Sequence, residues 1–421
     1  MQRTLAARSL AVVLLVLSSQ AFVSAQSLIT PGARVAVVGD SITEQKLYSK
    51  YIEAYLLACS GVPEVRVFQF GWGGETASGF SARLENDLGV FKPSVVTLCY
   101  GMNDGGYRPF DEGVGRNYET NMRNVLQKLS AVGVKSIVVG SPGAVDQIFF
   151  RPGQMMGDQP SHVAYNDNLA HLRDIDRKLA GEFKQTFADV HQPMYDAMQK
   201  AQAALGKQYP VCGGDGFHPG PNGQLIMAYA FLKGLGVDGS IGTVEVDMEN
   251  AGASASASVE TTSTRWPFCF EGDDKSPNGT RSILPFLPFN DELNRFTLKV
   301  KNLKAAKATV TWGEAKKEFT REQLTAGINL MAEFATTPFD APFQKLVGAI
   351  GAKQAFETFM IKQIVTNFRG VPADLREDAE FVKAAEMLKQ RLAEHHAKLD
   401  KQARDLLTPV KHTISVTAAH E

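Results

Sequence analysis

The chain reads as an α/β protein, a parallel sheet covered by helices on both faces, followed by a smaller β-rich domain with a helical insertion. Three observations predict this. Between residues 34 and 235, short apolar runs rich in β-branched residues alternate with longer segments of helical period. The strand runs are mainly apolar, as expected where both faces of a sheet are covered. After Gly236 the alternation gives way to strand-like pieces and one long helical stretch.

The first strand is read at residues 34–38, where Val35, Ala36, Val37 and Val38 run into Gly39-Asp40. Further strands are read at 65–69, 94–100, 135–139 and 186–190. Helices are read at 46–57, 117–132, 161–184 and 192–205, the third with Leu169, Leu172 and Leu179 at helical spacing. Such alternation implies right-handed crossovers, and ligands then bind beyond the carboxyl ends of the strands. Residues 251–258 are small and polar, a linker or a weakly packed edge. Strand-like pieces follow at 295–300, 308–312 and 411–416. The helical insertion runs from about 340 to 407. Its last part suggests a packing seam of Phe381, Ala384, Leu388, Leu392, His395, Leu399 and Leu406, with His396 facing outward.

Arg3 and Arg8 precede an apolar run from Leu10 to Leu17 and the small residues Ser24-Ala25. That order is a secretory signal peptide with cleavage after Ala25, and its apolar core is short for a membrane span. Export to the periplasm or the extracellular space is therefore expected. The remaining length, about 395 residues, exceeds what one hydrophobic core usually holds. Residues 30–240 and 241–421 are accordingly read as two domains. The 44 Lys+Arg against 45 Asp+Glu provide neither the basic stripe of a nucleic-acid binder nor a polybasic membrane patch. Of the cysteines Cys59, Cys99, Cys212 and Cys269, Cys99 reads as a buried thiol, and Cys212 with Cys269 is the disulfide pair to test first.

Four segments carry chemistry. Gly39-Asp40-Ser41 follows the first strand and opens a helix, so the Ser41 hydroxyl stands at the sheet's edge as a nucleophile, or else as a helix cap. Gly213-Gly214-Asp215-Gly216-Phe217-His218 places a carboxylate and an imidazole on one tight loop, the arrangement a serine's base requires. Gly101-Met102-Asn103-Asp104 follows the third strand and brings an amide to the same edge. Gly71-Trp72-Gly73-Gly74-Glu75-Thr76 follows the second, where a glycine N–H can approach substrate closely. Asn103 with the N–H groups of Ser41 and a glycine would make an oxyanion hole. Trp72 is either a cleft wall able to stack on a sugar or core filling. No His/Asp/Glu spacing suggests a metal site.

With these segments in this order, the chain resembles the SGNH/GDSL hydrolase family over residues 34–235. Gly39-Asp40-Ser41 looks like its first block, residues 71–76 its glycine block, Gly101 to Asp104 its third and Asp215 to His218 its fifth. The resemblance implies a flavodoxin-like three-layer sandwich and ester hydrolysis through an acyl-enzyme without metal or cofactor, with Gly74 as the glycine donor. Gln69 stands near where many members have asparagine. In some relatives a backbone carbonyl orients the histidine and the aspartate is dispensable. The substrate expected is an acylated, above all acetylated, poly- or oligosaccharide. A short-chain lipase or general esterase, and a non-catalytic glycan-binding or structural protein, are the alternatives.

Overall fold

The structure, a computed structural model, describes residues 27–249 and 256–419. The expected signal peptide, and the part of the small polar stretch up to residue 255, lie outside the described residues. Five parallel strands, β1 (Arg34–Gly39), β2 (Arg66–Gly71), β3 (Val95–Cys99), β4 (Ser136–Gly140) and β5 (Thr186–Ala188), form a sheet in the order β2-β1-β3-β4-β5. Side chains alternate across it: Val35 and Val37 join the apolar cluster on one face, Ala36 and Val38 the cluster on the other. Each such valine, fully buried, contributes roughly 1.5–3 kcal/mol.

The helices α1 (Ser41–Glu44), α2 (Tyr48–Ala54), α3 (Ala77–Leu88), α4 (Glu112–Ala131), α5 (Ser161–Glu182), α6 (His191–Leu205) and α7 (Pro221–Gly234) connect and cover the strands. This is the predicted three-layer α/β architecture. Helix α3 was not anticipated. Its signal was present, since Thr76 caps it and Phe80, Leu84 and Leu88 recur every fourth residue as buried positions. The intervening polar residues and the glycines before it obscured the pattern.

Beyond Gly234 the chain builds two small sheets. β6 (Ser240–Asp247) pairs in parallel with β8 (Arg295–Lys301), which also pairs with the two-residue β11 (Ile328–Asn329). The second sheet has the order β10-β9-β12-β7, from β7 (Ser256–Ser263), β9 (Lys307–Trp312), β10 (Ala315–Thr320) and β12 (Val410–Ala418). Residues 256–258 are therefore an edge strand rather than a linker. Their hydroxyls pair across to β12, Ser258 with Ser415 at 2.8 Å and Ser256 with Thr417 at 3.0 Å.

The helical insertion contains α8 (Asp340–Phe359) and α9 (Ala379–Asp405), and it packs on the free edge of β2. An uncovered edge strand presents unpaired backbone groups. Here Arg404 donates to the Val65 carbonyl, Lys353 to the Val67 carbonyl at 2.7 Å, and the Gln69 N–H donates to the Glu357 carboxylate at 2.9 Å. The Lys353 ammonium also lies 2.6 Å from Glu357 and 3.0 Å from Glu53, all three buried. Burial, reinforced by Glu357, pushes the Glu53 carboxyl up to about 7 despite the neighbouring ammonium.

The seam of α9 is shifted from the expected one. His396 is buried, 2.7 Å from Glu357 and beside the Phe91 ring, whereas His395 and Leu388 are exposed. The buried face runs through His396, Asp400 and Ala403, with Asp400 paired to Arg404. A helix that meets a strand edge must offer polar partners to backbone groups, so a face chosen by apolar residues alone falls out of register. The pair singled out for testing, Cys212 with Cys269, is not bridged. All four cysteines are free and buried, with Cys212 against the Met198 sulfur at 3.9 Å and Cys269 near the Pro267 carbonyl.

Candidate active site

The four segments meet at the carboxyl edge of the five-stranded sheet. Asp40 follows β1 and caps α1, its carboxylate accepting the Ile42 N–H at 2.9 Å. That leaves Ser41 at the first helical position, half-buried, where backbone N–H groups have no partner within the helix. Glycine at 39 is a steric requirement: a Cβ there would sit 2.2 Å from the Thr43 hydroxyl and 2.7 Å from the Cys99 carbonyl. At Gly71 a Cβ would fall 2.2 Å from the Glu44 nitrogen, so only glycine lets α1 rest on the end of β2.

The loop before α7 brings the other two members. Asp215 Oδ1 accepts the N–H groups of Phe217 and His218 at 3.1 and 3.0 Å, closing a tight turn. Its Oδ2 lies 2.7 Å from His218 Nδ1, and His218 Nε2 lies 2.8 Å from the Ser41 hydroxyl. A carboxylate facing Nδ1 requires the proton there, so Nε2 is left to accept from Ser41. Partial burial pushes the Asp215 carboxyl up, but hydrogen bonds from the His218 ring and from two backbone N–H groups outweigh it and hold it below its ordinary value.

Asn103 donates from Nδ2 to the Glu75 carbonyl at 3.0 Å and accepts the Tyr107 hydroxyl on Oδ1 at 3.1 Å. One amide N–H is left over. Asp104 pins this loop by accepting the N–H groups of Ala77 and Gly101. Burial pushes Asp104 up to about 6 and Asp40 up to about 7, the latter also raised by the nearby Asp104 and Glu75 charges. Gly74 has a φ of +72°, and its N–H finds no hydrogen-bond partner among the described residues. The Trp72 ring lies under two cations, the Arg83 guanidinium and the Lys362 ammonium, each 4.9 Å from its centre. Gln69 is buried and its amide donates to the Thr43 carbonyl at 2.8 Å, fastening β2 to α1.

Several residues here escaped the sequence reading. Phe217 packs 4.3 Å from the His218 ring and Tyr107 packs 5.5 Å from Phe217, so two half-buried aromatics border the histidine and Asn103. Phe217 lies inside the Asp-to-His interval and could have been noticed there. Lys362, which pairs with Glu44 at 2.6 Å, gave no signal because 318 positions separate the two. Among the described residues there is no group of three or more His, Cys, Asp or Glu able to hold a metal, and no helix long and apolar enough to cross a membrane.

Residues 37–226 match the GDSL-like lipase/acylhydrolase family. This segment belongs to that family. The chain is thus an ester-cleaving hydrolase of the SGNH/GDSL type. It is similar to an acetylxylan esterase of Geobacillus stearothermophilus, 24% identical over 230 residues that make up 49% of this chain and 95% of that enzyme. Among solved structures, a gut microbial diltiazem-metabolizing enzyme matches with a TM-score of 0.69 at 20% identity, over 93% of this chain and 98% of the other. At that identity the likeness speaks for the fold, and it extends past the GDSL segment into the C-terminal sheets.

Proposed function

We propose that the chain is an exported serine esterase that removes O-acyl groups, chiefly acetyl, from carbohydrate through an acyl-enzyme. The observation that carries the mechanism is the unbroken relay from Asp215 to His218 at 2.7 Å and from His218 to Ser41 at 2.8 Å. His218 Nε2 takes the hydroxyl proton as Ser41 Oγ attacks the ester carbonyl, and Asp215 steadies the imidazolium. The N–H groups of Ser41 and Gly74 and the remaining amide hydrogen of Asn103 receive the oxyanion. As the first tetrahedral intermediate collapses and its bond to the sugar oxygen breaks, His218 gives its proton to that oxygen, which leaves as a hydroxyl. Water, deprotonated by the same nitrogen, attacks the acyl-enzyme, and collapse of the second tetrahedral intermediate frees acetate and Ser41.

The carbohydrate reading is supported by the similarity to an acetylxylan esterase. A second support is the pair of half-buried rings, Phe217 and Tyr107, beside His218 and Asn103, which suit the apolar face of a sugar. We assign stacking to these rings in preference to Trp72, whose ring is engaged by Arg83 and Lys362. Export rests on the sequence of residues 1–25 alone.

The test is acetate release from acetylated xylan and other acetylated polysaccharides, alongside p-nitrophenyl acetate and butyrate, for wild type and Ser41→Ala. The substitution should lower kcat by about 10⁴-fold or more while leaving Tm unchanged. Polysaccharide activity lost in Ser41→Ala supports the whole reading. Serine-dependent turnover of the small esters alone keeps the mechanism and removes the carbohydrate. Activity that survives Ser41→Ala sinks both.

A further inference from the structure

We infer that Lys362, supplied by the C-terminal helical insertion outside the GDSL segment, is a positioning residue for the loop that carries the Gly74 oxyanion donor. The inference rests on the role proposed above for that loop. Residues 72–75 form a turn in which the Glu75 N–H donates to the Trp72 carbonyl at 3.1 Å. Gly74, third in the turn, has a φ of +72°, the value that a type II turn places there.

The turn is fastened on both sides of Gly74. On one side the Trp72 N–H donates to the Gly39 carbonyl at 3.0 Å, and the Gly73 N–H donates to the Glu44 carboxylate. On the other, the Glu75 carboxylate receives Arg83 at 2.7 and 2.8 Å and the Tyr100 hydroxyl at 2.6 Å, while its carbonyl orients Asn103. Gly74, which has no atoms within 4 Å of where a Cβ would stand, is left free between these fastenings.

The Arg83 side is built wholly within the GDSL segment; the Glu44 side depends on Lys362. Glu44 sits on a four-residue helix that begins with the nucleophile, and one of its carboxylate oxygens holds the Gly73 N–H. Lys362 Nζ holds the other oxygen at 2.6 Å and rests over the Trp72 ring. Both side chains of the pair are less than a third exposed, so water screens it less than a surface ion pair. Without the ammonium, Glu44 is free to turn to solvent, Gly73 loses its acceptor, and two adjacent glycines regain the freedom that the turn removed. The donor is then no longer held ready for the charge that develops at the carbonyl oxygen.

The experiment compares Lys362→Met, Lys362→Arg and Glu44→Gln with wild type on p-nitrophenyl acetate, and measures inhibition by a boronic acid that forms a tetrahedral adduct with a serine. Lys362→Met should lower kcat by about 10-fold or more, below the roughly 10²–10³ ceiling set by loss of one oxyanion donor. KM should move less than about threefold and boronate affinity should fall in parallel with kcat, because the loop acts on the tetrahedral species. Lys362→Arg should restore most of the rate, and Glu44→Gln should resemble Lys362→Met. Wild-type-like kcat in Lys362→Met, or a lost rate with unchanged boronate affinity, overturns the inference. Should Lys362→Met fail to fold, the same criteria apply to Glu44→Gln. Serine-independent turnover in wild type would instead remove the proposed function itself, a failure told apart by Ser41→Ala.

Discussion

Replacing Lys353 by methionine would test whether the insertion is bound to the sheet by compensated buried charge. The ammonium touches Glu357 at 2.6 Å and Glu53 at 3.0 Å and donates to the Val67 carbonyl, all out of solvent. Removing one partner of such a buried set costs about 3–5 kcal/mol, because the carboxylates left behind lose their ammonium, with only His396 still beside Glu357. At about 2 °C per kcal/mol for a chain of this size, Tm should fall by roughly 6–10 °C. The loss depends on pH. Burial already lifts the Glu53 carboxyl from 4.5 to about 7 with the ammonium present, whereas Lys353 and His396 hold Glu357 below its ordinary value; without the ammonium both carboxyls move up. A carboxyl whose folded pKa exceeds its unfolded value stabilises fully below the unfolded pKa, and that stability is lost as pH rises through the folded value. The deficit should therefore be greatest near pH 8. Near pH 5, below the raised Glu53 value, the share of the deficit that comes from ionised Glu53 is gone, and the deficit should shrink. Calorimetric Tm at both pH values, with Lys353→Met/Glu357→Gln as the compensating double variant, provides the assay. An equal deficit at pH 5 and pH 8 would refute the reasoning.

Three further outcomes are expected. Asp215→Asn should reduce kcat by about 10²–10⁴-fold with little change in KM, since the His218 tautomer loses its anchor; a near-normal rate would show that a backbone carbonyl orients the ring instead. Asp40→Asn keeps the oxygen that caps Ile42, but removes a buried carboxyl raised to about 7. That carboxyl's stabilising share is present at acid pH and lost as pH rises toward 7, so the variant's Tm should gain on wild type at pH 8 but not at pH 5. A chain ended near residue 240 would expose the Val65 and Val67 carbonyls and the Gln69 N–H of β2. It should aggregate on expression, and monodisperse, folded material in size-exclusion chromatography would contradict this account of the edge.

Much of the fold and of the site was legible because the information is local. In a parallel α/β sheet every strand delivers its carboxyl end to the same edge. Ser41, Gly74 and Asn103 each follow a strand by a few residues, and Asp215 and His218 share one turn, so short motifs in the right order suffice to gather them. Glycine at 39 and 71 is likewise written in the motif, because α1 touches the strand ends there. Helix α3 was recoverable from Phe80, Leu84 and Leu88 and was obscured only by its polar spacing.

Tertiary structure alone decided what the C-terminal region does. Lys353, Glu357 and Arg404 are polar residues that hydropathy assigns to solvent; the first two are buried and the third half-buried because the open edge of β2 needs donors and acceptors. His396 is buried and His395 exposed for the same reason. The pairing of Lys362 with Glu44 spans 318 positions and has no local signature. Periodicity records which face of an element is apolar. It does not record which distant charge will compensate a buried one, and that compensation is what joins the insertion to the sheet edge that gathers Ser41, Asn103 and His218.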